Sequence, residues 1–437
     1  MGIAIASDLT ADDASNEILF AKIKWRIIPL IVVCFLFSWF DRINIGFVKF
    51  DLQHSLALSD TAYGLGASLF VCGYVLLEVP SNMMLYRVGA RRWIARILIS
   101  WGVATAAMVF VRSETEFYVL RFIIGAAEAG FAPGIFYYLT TWFPPQQRGR
   151  VFGLLYQAVA FSGILGAPLS GLILGNFNGL GGLPAWNWVF LLGGVPCVFL
   201  GLLVLRRLDD SFEKAKWLSD PEKGRLRILL GEQSHAHGTR SLKEAIRIPG
   251  FLLLGFVFFL VQIASYGMNF WMPHLIRASG ITDPTSIGFI TAIPYLCGAV
   301  GMLIVGHVAD RSGNRRAVFS ACILISGIGF LATGFFDKSS VPLIFSLALI
   351  GFGMLSAIPT FWSLPPKLVS GAAAASGIAL INSLGQLGGI VSPVMVGKIS
   401  DIAGTTTPAL YVIVAACVLC SSLAFFAFPE RLRAPEQ

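Results

Sequence analysis

Charge is what this chain has least of. Asp, Glu, Lys and Arg together make up 13% of its 437 residues, against 56% hydrophobic residues and a mean hydropathy of +0.75. So small a charged share excludes a soluble domain of ordinary composition. There are five histidines, and the pair His235 and His237 sits in a polar, loop-like context that argues against a metal site. The seven cysteines (Cys34, Cys72, Cys197, Cys297, Cys322, Cys417 and Cys420) all fall in apolar stretches. They read as small packing residues and not as a disulfide framework, and Cys417-x-x-Cys420 stands alone in an apolar run. No nucleophile–base set, metal cluster or phosphate loop is present, which argues against an enzyme and against a bound cofactor. Residues 1–24 are polar and acidic, without the basic start and apolar core of a cleavable signal peptide.

What the chain does have is long apolar runs. A helix of roughly 20 apolar residues crosses a ~30 Å hydrocarbon core. Such runs lie near 26–48, 62–84, 93–111, 115–141, 149–175 and 187–206, and again near 250–272, 286–309, 317–336, 341–363, 372–400 and 408–428. The expected fold is all-α and integral to a membrane, with twelve transmembrane helices in two six-helix bundles. Residues 26–206 and 250–428 form the bundles, 207–249 a solvated linker with a short helix or two, and 1–25 and 429–437 the tails.

The two sets are copies of one another. N-M-M-L-Y-R-V-G-A-R-R at 82–92 and G-H-V-A-D-R-S-G-N-R-R at 306–316 align at a constant offset, so that Arg87, Gly89, Arg91 and Arg92 match Arg311, Gly313, Arg315 and Arg316. Thr61 and Gly64 match Thr285 and Gly288, Gly163 and Pro168 match Gly388 and Pro393, and Gln157 falls on Asn382. A period above 200 residues is too long for a solenoid, whose units run to about 20–50 residues.

Basic residues set the orientation. Of 32 Lys and Arg, 25 lie on the side of both tails, the linker and every second loop, whereas 5 lie opposite and 2 lie inside spans. Both termini are therefore expected in the cytoplasm. The formal net charge of +8 is the mark of that asymmetry, so nucleic-acid binding need not be invoked.

Ionisable groups deep in a membrane are costly and tend to face a bundle interior or a water-filled cavity. Asp41 and Arg42 lie in the first span and Arg121 and Glu128 in the fourth, with Glu78 nearer the cytoplasmic end of the second. Arg121 and Glu128 are seven residues apart and share a helix face about 10 Å apart in depth. Asp41 and Arg42 point about 100° apart and must each find a partner on another helix. With the first and fourth spans side by side, Asp41 meets Arg121 and Glu128 meets Arg42, two crossed pairs. A static salt-bridge network is the plain reading. The sharper one is a coupling device, because an arginine drawn onto an anionic ligand releases its carboxylate to take a proton. Tyr74, Gln157 and Asn382 are polar groups suited to orient that ligand, and Trp362 reads as packing or a cavity wall.

The duplicated R-x-G-x-R-R loop, completed by Asp310 in the second half, together with twelve spans and a basic linker, resembles the major facilitator superfamily over nearly the whole chain. Within it, W-F-D-R-I-N-I-G-F at 39–47, G-Y-V-L-L-E-V-P-S-N at 73–82, R-F-I-I-G-A-A-E-A-G-F-A-P-G at 121–134 and W-F-P-P-Q-Q-R-G-R at 142–150 are similar to the anion:cation symporter family, notably its tartrate-, phthalate- and 4-hydroxyphenylacetate-type members. The resemblance implies proton-coupled uptake of a small organic carboxylate by a monomer in a bacterial inner membrane, with the proton as coupling ion. It implies Asp41 and Glu128 as proton-coupling acids, Arg42, Tyr74, Arg121, Gln157 and Asn382 as substrate contacts, and Arg87, Gly89, Arg91, Arg92, Asp310, Arg311, Gly313 and Arg315 as gating loops. Two positions depart from the pattern. Tyr86 replaces the acid of the first loop, leaving a gating ion pair to Asp310, and Glu78 stands where relatives often have Gln. The alternatives are an organic-anion exporter or exchanger, for which G-I-L-G-A-P-L-S-G in the fifth span argues, and a membrane sensor that does not transport.

Overall fold

The computed structural model describes residues 2–230, 248–368 and 372–429; His235 and His237 lie outside them. Every regular element described is helical. Eleven helices among the described residues have the length and composition to cross a membrane, and the helix Gly2–Phe47 contains the stretch expected to be the first span. The chain has the expected architecture of twelve transmembrane helices in two six-helix bundles. Spans 2 to 6 are Asp60–Val88, Ala90–Phe110, Glu114–Thr140, Gln147–Asn176 and Ala185–Arg207. Spans 7 to 10 are Phe251–Ala278, Pro284–Ser312, Arg315–Phe335 and Ser340–Trp362, and spans 11 and 12 are Leu380–Ala403 and Thr407–Ala427. The linker carries a short helix, Asp220–Leu230.

Local chemistry sets where these helices begin and break. The hydroxyls of Ser59 and Ser113 and the carboxylate of Asp283 cap spans 2, 4 and 8 by accepting from the backbone N–H of Ala62, Glu116 and Ser286. Span 4 is interrupted. Its first helix ends at Glu128 and its second starts at Phe131, with Gly130 at φ 82° between them. Pro133 explains the break, because its ring cannot coexist with the carbonyl four residues back. That carbonyl, on Ala129, accepts instead from the Ser81 hydroxyl at 2.6 Å, which satisfies the freed group inside the membrane.

The bundles meet through the duplicated small residues. A Cβ on Gly64 would stand 2.3 Å from the Pro393 carbonyl oxygen, and one on Gly288 would stand 2.6 Å from the carbonyl oxygen of Ala167, beside Pro168. One close approach is thus made twice, span 2 on span 11 and span 8 on span 5, as small interface residues permit.

Hydrogen bonds between the bundles concentrate away from the termini. On that far side Asp401 accepts from the backbone N–H groups of Asp60 at 3.0 Å and Thr61 at 2.8 Å, and from the Thr61 hydroxyl. Lys49 is wholly buried and pairs with Asp60 at 2.8 Å. It lies 3.3 Å from His274 Nδ1 and 3.6 Å from the Trp271 ring centroid. Deeper, the Ser68 hydroxyl donates to the Ile390 carbonyl at 2.6 Å. Toward the termini, Gly149 and Gly153 of span 5 and Gly306 of span 8 border open space.

Candidate functional site

The four deep charges come together at the break in span 4. Glu128 ends its helix with its side chain fully buried, and Oε1 accepts from Arg42 Nη2 at 2.8 Å, Arg42 Nε at 3.1 Å and the Ser38 hydroxyl at 2.7 Å. Ser38 lies one turn before Arg42 on the same face, which is why both reach one oxygen. Glu128 Oε2 is buried without a protein partner. The Arg42 side chain is 11% exposed and its guanidinium lies over the rings of Tyr74 at 4.9 Å, Trp39 at 5.3 Å and Phe70 at 5.5 Å. Such aromatic faces hold a cation without neutralising it.

The second crossed pair is not made. Asp41 Oδ2 accepts from Trp101 Nε1 at 3.2 Å, and no Asp41–Arg121 ion pair within 4 Å occurs among the described residues. Arg121 lies over Phe70 at 4.7 Å, and its Nε and Nη2 lack partners, as does Asp41 Oδ1. Trp101 and Phe70 hold the two charges in neighbouring but separate seats. Buried polar atoms are normally satisfied; here four of them, Glu128 Oε2, Asp41 Oδ1 and Arg121 Nε and Nη2, have no protein partner.

Between the bundles lies a further polar set. Tyr74 and Glu78, one turn apart on span 2, share a face. Glu78 Oε1 accepts from Asn382 Nδ2 of span 11 at 3.2 Å, a direct link across the bundle interface on the side toward the termini. Tyr266 donates to Gln386 Oε1 at 3.0 Å, and Gln262 lies 3.4 Å from the same oxygen. Gln157 is half-buried and has no hydrogen-bond partner among the described residues. Trp362 packs on Phe258 and Phe361.

Of the residues expected to form gating loops, Arg87, Asp310 and Arg311 lie in the last turns of spans 2 and 8, Gly89 and Gly313 in the turns that follow, and Arg91, Arg92 and Arg315 in the first turns of spans 3 and 9. Asp310 pairs with Arg315 of its own loop at 3.2 Å. Where Tyr86 replaces an acid, Asp210 from beyond span 6 supplies the carboxylate. It accepts from the Arg91 backbone N–H at 3.1 Å and lies 3.9 Å from Arg91 Nε. Arg87, Arg92 and Arg311 are exposed, and Gly313 ends span 8 in the left-handed conformation. Sequence reasoning missed Asp210, Ser38, Trp101 and Gln386. Only Ser38 carried a usable signal, its helical spacing from Arg42.

Twelve spans in two bundles, with buried charges on one side of the interface and amides on the other, define a membrane transporter. The major facilitator superfamily model matches residues 31–393 and 280–437. The chain belongs to that superfamily. It is 41% identical to the provisionally named metabolite transport protein NicT of Pseudomonas putida, across 99% of both chains. To a provisionally named tartrate transporter of Agrobacterium vitis it is 39% identical over 92% of this chain and 89% of the relative. A quinolone resistance transporter of Acinetobacter baumannii is 37% identical over 89% of this chain and 90% of the relative. These relatives are transporters, not enzymes, and they agree with the likeness to anion:cation symporters.

Proposed function

We propose that the protein takes up a small organic carboxylate by proton symport, working by alternating access in a bacterial inner membrane with both termini in the cytoplasm. The observation that carries this reading is that Arg42 is bound to buried Glu128 while part of its side chain remains open. A substrate carboxylate reaching Arg42 competes with Glu128, and a planar guanidinium suits either. A buried carboxylate does not keep its charge without a cation, so Arg42 passes to the substrate only with a proton on Glu128. Glu128 is then the coupling acid, with Asp41 and Arg121 as an adjoining acid and cation. Tyr74 and Asn382 orient the substrate, and Gln157, the repeat partner of Asn382, does so from the other bundle. Asn382 leaves Glu78 to do this, so substrate entry also opens the Glu78–Asn382 link. The pairs on Asp210 and Asp310 steady the loops on the cytoplasmic side. The chain acts as a monomer, with the proton in place of a cofactor.

The test is uptake by purified protein in liposomes, screened over sugar acids, dicarboxylates and aromatic acids. A pH gradient, inside alkaline, should drive accumulation of one class. The quinolone-resistance relative favours a second reading, export. Efflux of an organic anion driven by an inwardly directed proton gradient, with no gradient-driven uptake of any carboxylate, would establish that reading instead.

A further inference from the structure

A second charged site lies at the surface on the side of the termini. Arg26, Arg91, Arg206, Arg207, Lys214 and Lys216 converge on a pocket of about 450 Å³. Its two acids are already engaged: Asp210 serves Arg91, and Asp209 accepts from Trp217 Nε1 at 2.8 Å. Arg206, Arg207, Lys214 and Lys216 have no carboxylate within 4 Å among the described residues. A topological bias toward basic loops requires a number of cations on one side, but not their convergence around one cavity.

The pocket also sits at a defined level. Arg26 opens the first apolar run and Arg206 and Arg207 end span 6, so the cations ring the place where helices leave the hydrocarbon. Trp25 beside Arg26 is 78% exposed, as an aromatic at a membrane interface is. Trp217 lines the pocket and stacks on buried Trp142, with ring centroids 5.8 Å apart. The Tyr138 hydroxyl donates to the Asp209 carbonyl at 2.9 Å. Tyr138 lies on the second helix of span 4 and Trp142 just beyond its end; the first helix of that span carries Arg121 and Glu128.

We propose that this pocket binds a phosphate-bearing anion at the membrane surface, the headgroup of an anionic phospholipid or a soluble phosphate ester. Uncompensated cations between helices at the cytoplasmic surface are the recognised chemistry for such groups. The occupant bridges the start of the first span, the first turn of span 3 and the segment after span 6. Through Trp217 it braces the end of span 4. The site is separate from the transport site and does not depend on which substrate is carried.

The experiment measures melting temperature and lipid adducts by native mass spectrometry on the full chain in neutral detergent. The probes are phosphatidylglycerol, phosphatidylcholine with the same acyl chains, and glycerol 3-phosphate. Phosphatidylglycerol should bind and stabilise, less so at high salt, while phosphatidylcholine should not. The combined Arg206→Gln, Arg207→Gln and Lys214→Gln variant should bind it on the order of 100-fold more weakly, from about fivefold per cation. An equal response to glycerol 3-phosphate would assign the pocket to a soluble phosphate, which the same variant must also weaken. Should the combined variant not fold, Lys214→Gln and Lys216→Gln, both exposed, should each weaken binding about fivefold. Equal binding of the two lipids without a response to glycerol 3-phosphate, or binding unchanged in the variants, overturns the proposal.

Discussion

Replacing Asp401 by Ala should open the far side of the protein. Asp401 ties span 11 to the start of span 2 through two backbone N–H groups and one hydroxyl, and these bonds exist only while the bundles are together on that side. Asp401 is exposed, so each bond is taken at the low end, about 0.5–1 kcal/mol. The three sum to roughly 1.5–3 kcal/mol, a factor of about 10–150 in the equilibrium between closed and open far side. Ser68 reports that equilibrium. It is 1% exposed and bonded to Ile390 across the interface, so a cysteine there is shielded until the bundles part. In a protein whose native cysteines have been replaced, maleimide labelling of Ser68→Cys should speed up by about the same factor when Asp401→Ala is added. Asp401→Asn, which keeps one acceptor oxygen, should fall between. An unchanged labelling rate in a variant with unchanged melting temperature would show that Asp401 does not hold this side shut.

Three further outcomes follow from the same contacts. Glu128→Gln should abolish uptake driven by a proton gradient while keeping substrate counterflow within about tenfold of wild type, because the amide oxygen can still accept from Arg42 and Ser38; gradient-driven uptake at the wild-type rate refutes the coupling role. Arg42→Lys should weaken substrate binding by roughly tenfold or more, since an ammonium does not reproduce the planar fork, and calorimetric titration showing equal affinity would reduce Arg42 to a structural pair. Burial pushes the Lys49 ammonium down to about 8, partly opposed by Asp60. The unfolded chain therefore holds more protons than the folded one between about pH 8 and pH 10.5, and stability should rise with pH across that window. Melting curves of wild type against Lys49→Met should separate in that direction, by up to about 3 kcal/mol, and a constant difference would exclude the shift.

How far the residues foretold this architecture depends on what the duplication repeats. Helical spans and their number follow from features present in both halves, so periodicity and offset were enough for them; the offset matched Gly64 with Gly288 and Pro168 with Pro393 but did not say that Gly64 would meet Pro393 and Gly288 the Ala167–Pro168 turn. Asp401 has no such twin: Asn176 occupies the corresponding place and bonds within its own helix, to the Leu172 carbonyl. The far-side lock therefore lay outside any repeat-based reading. Helical spacing put Arg121 and Glu128 on one face and made Arg42 a partner for Glu128, and that pair is present. It could not tell that Trp101 from span 3 would occupy Asp41, because which aromatic fills a neighbouring seat is decided by tertiary packing. The substitution at Tyr86 was visible, but its replacement by Asp210 required two loops about 120 residues apart to meet.

The geometry at Glu128 also bears on the order of events. Two of the three Arg42 guanidinium nitrogens, Nε and Nη2, and the Ser38 hydroxyl converge on Oε1, whereas Oε2 is buried without a protein partner. A buried ion pair contributes little stability over an apolar replacement, and a one-oxygen pair forgoes the two-oxygen fork that would strengthen it. On the proposed symport reading, the unpartnered Oε2 is where Glu128 takes its proton, before Arg42 has moved. Once protonated, Glu128 holds Arg42 by a weaker, neutral-acceptor bond, and the guanidinium, already resting on Tyr74, is free to turn toward a carboxylate between the bundles. Proton first and substrate second then avoids an intermediate in which Glu128 is buried, charged and unpaired, which is the costliest state available to the site. The break at Pro133 lets the carboxyl sit at the end of the first helix of span 4, two turns beyond Arg121.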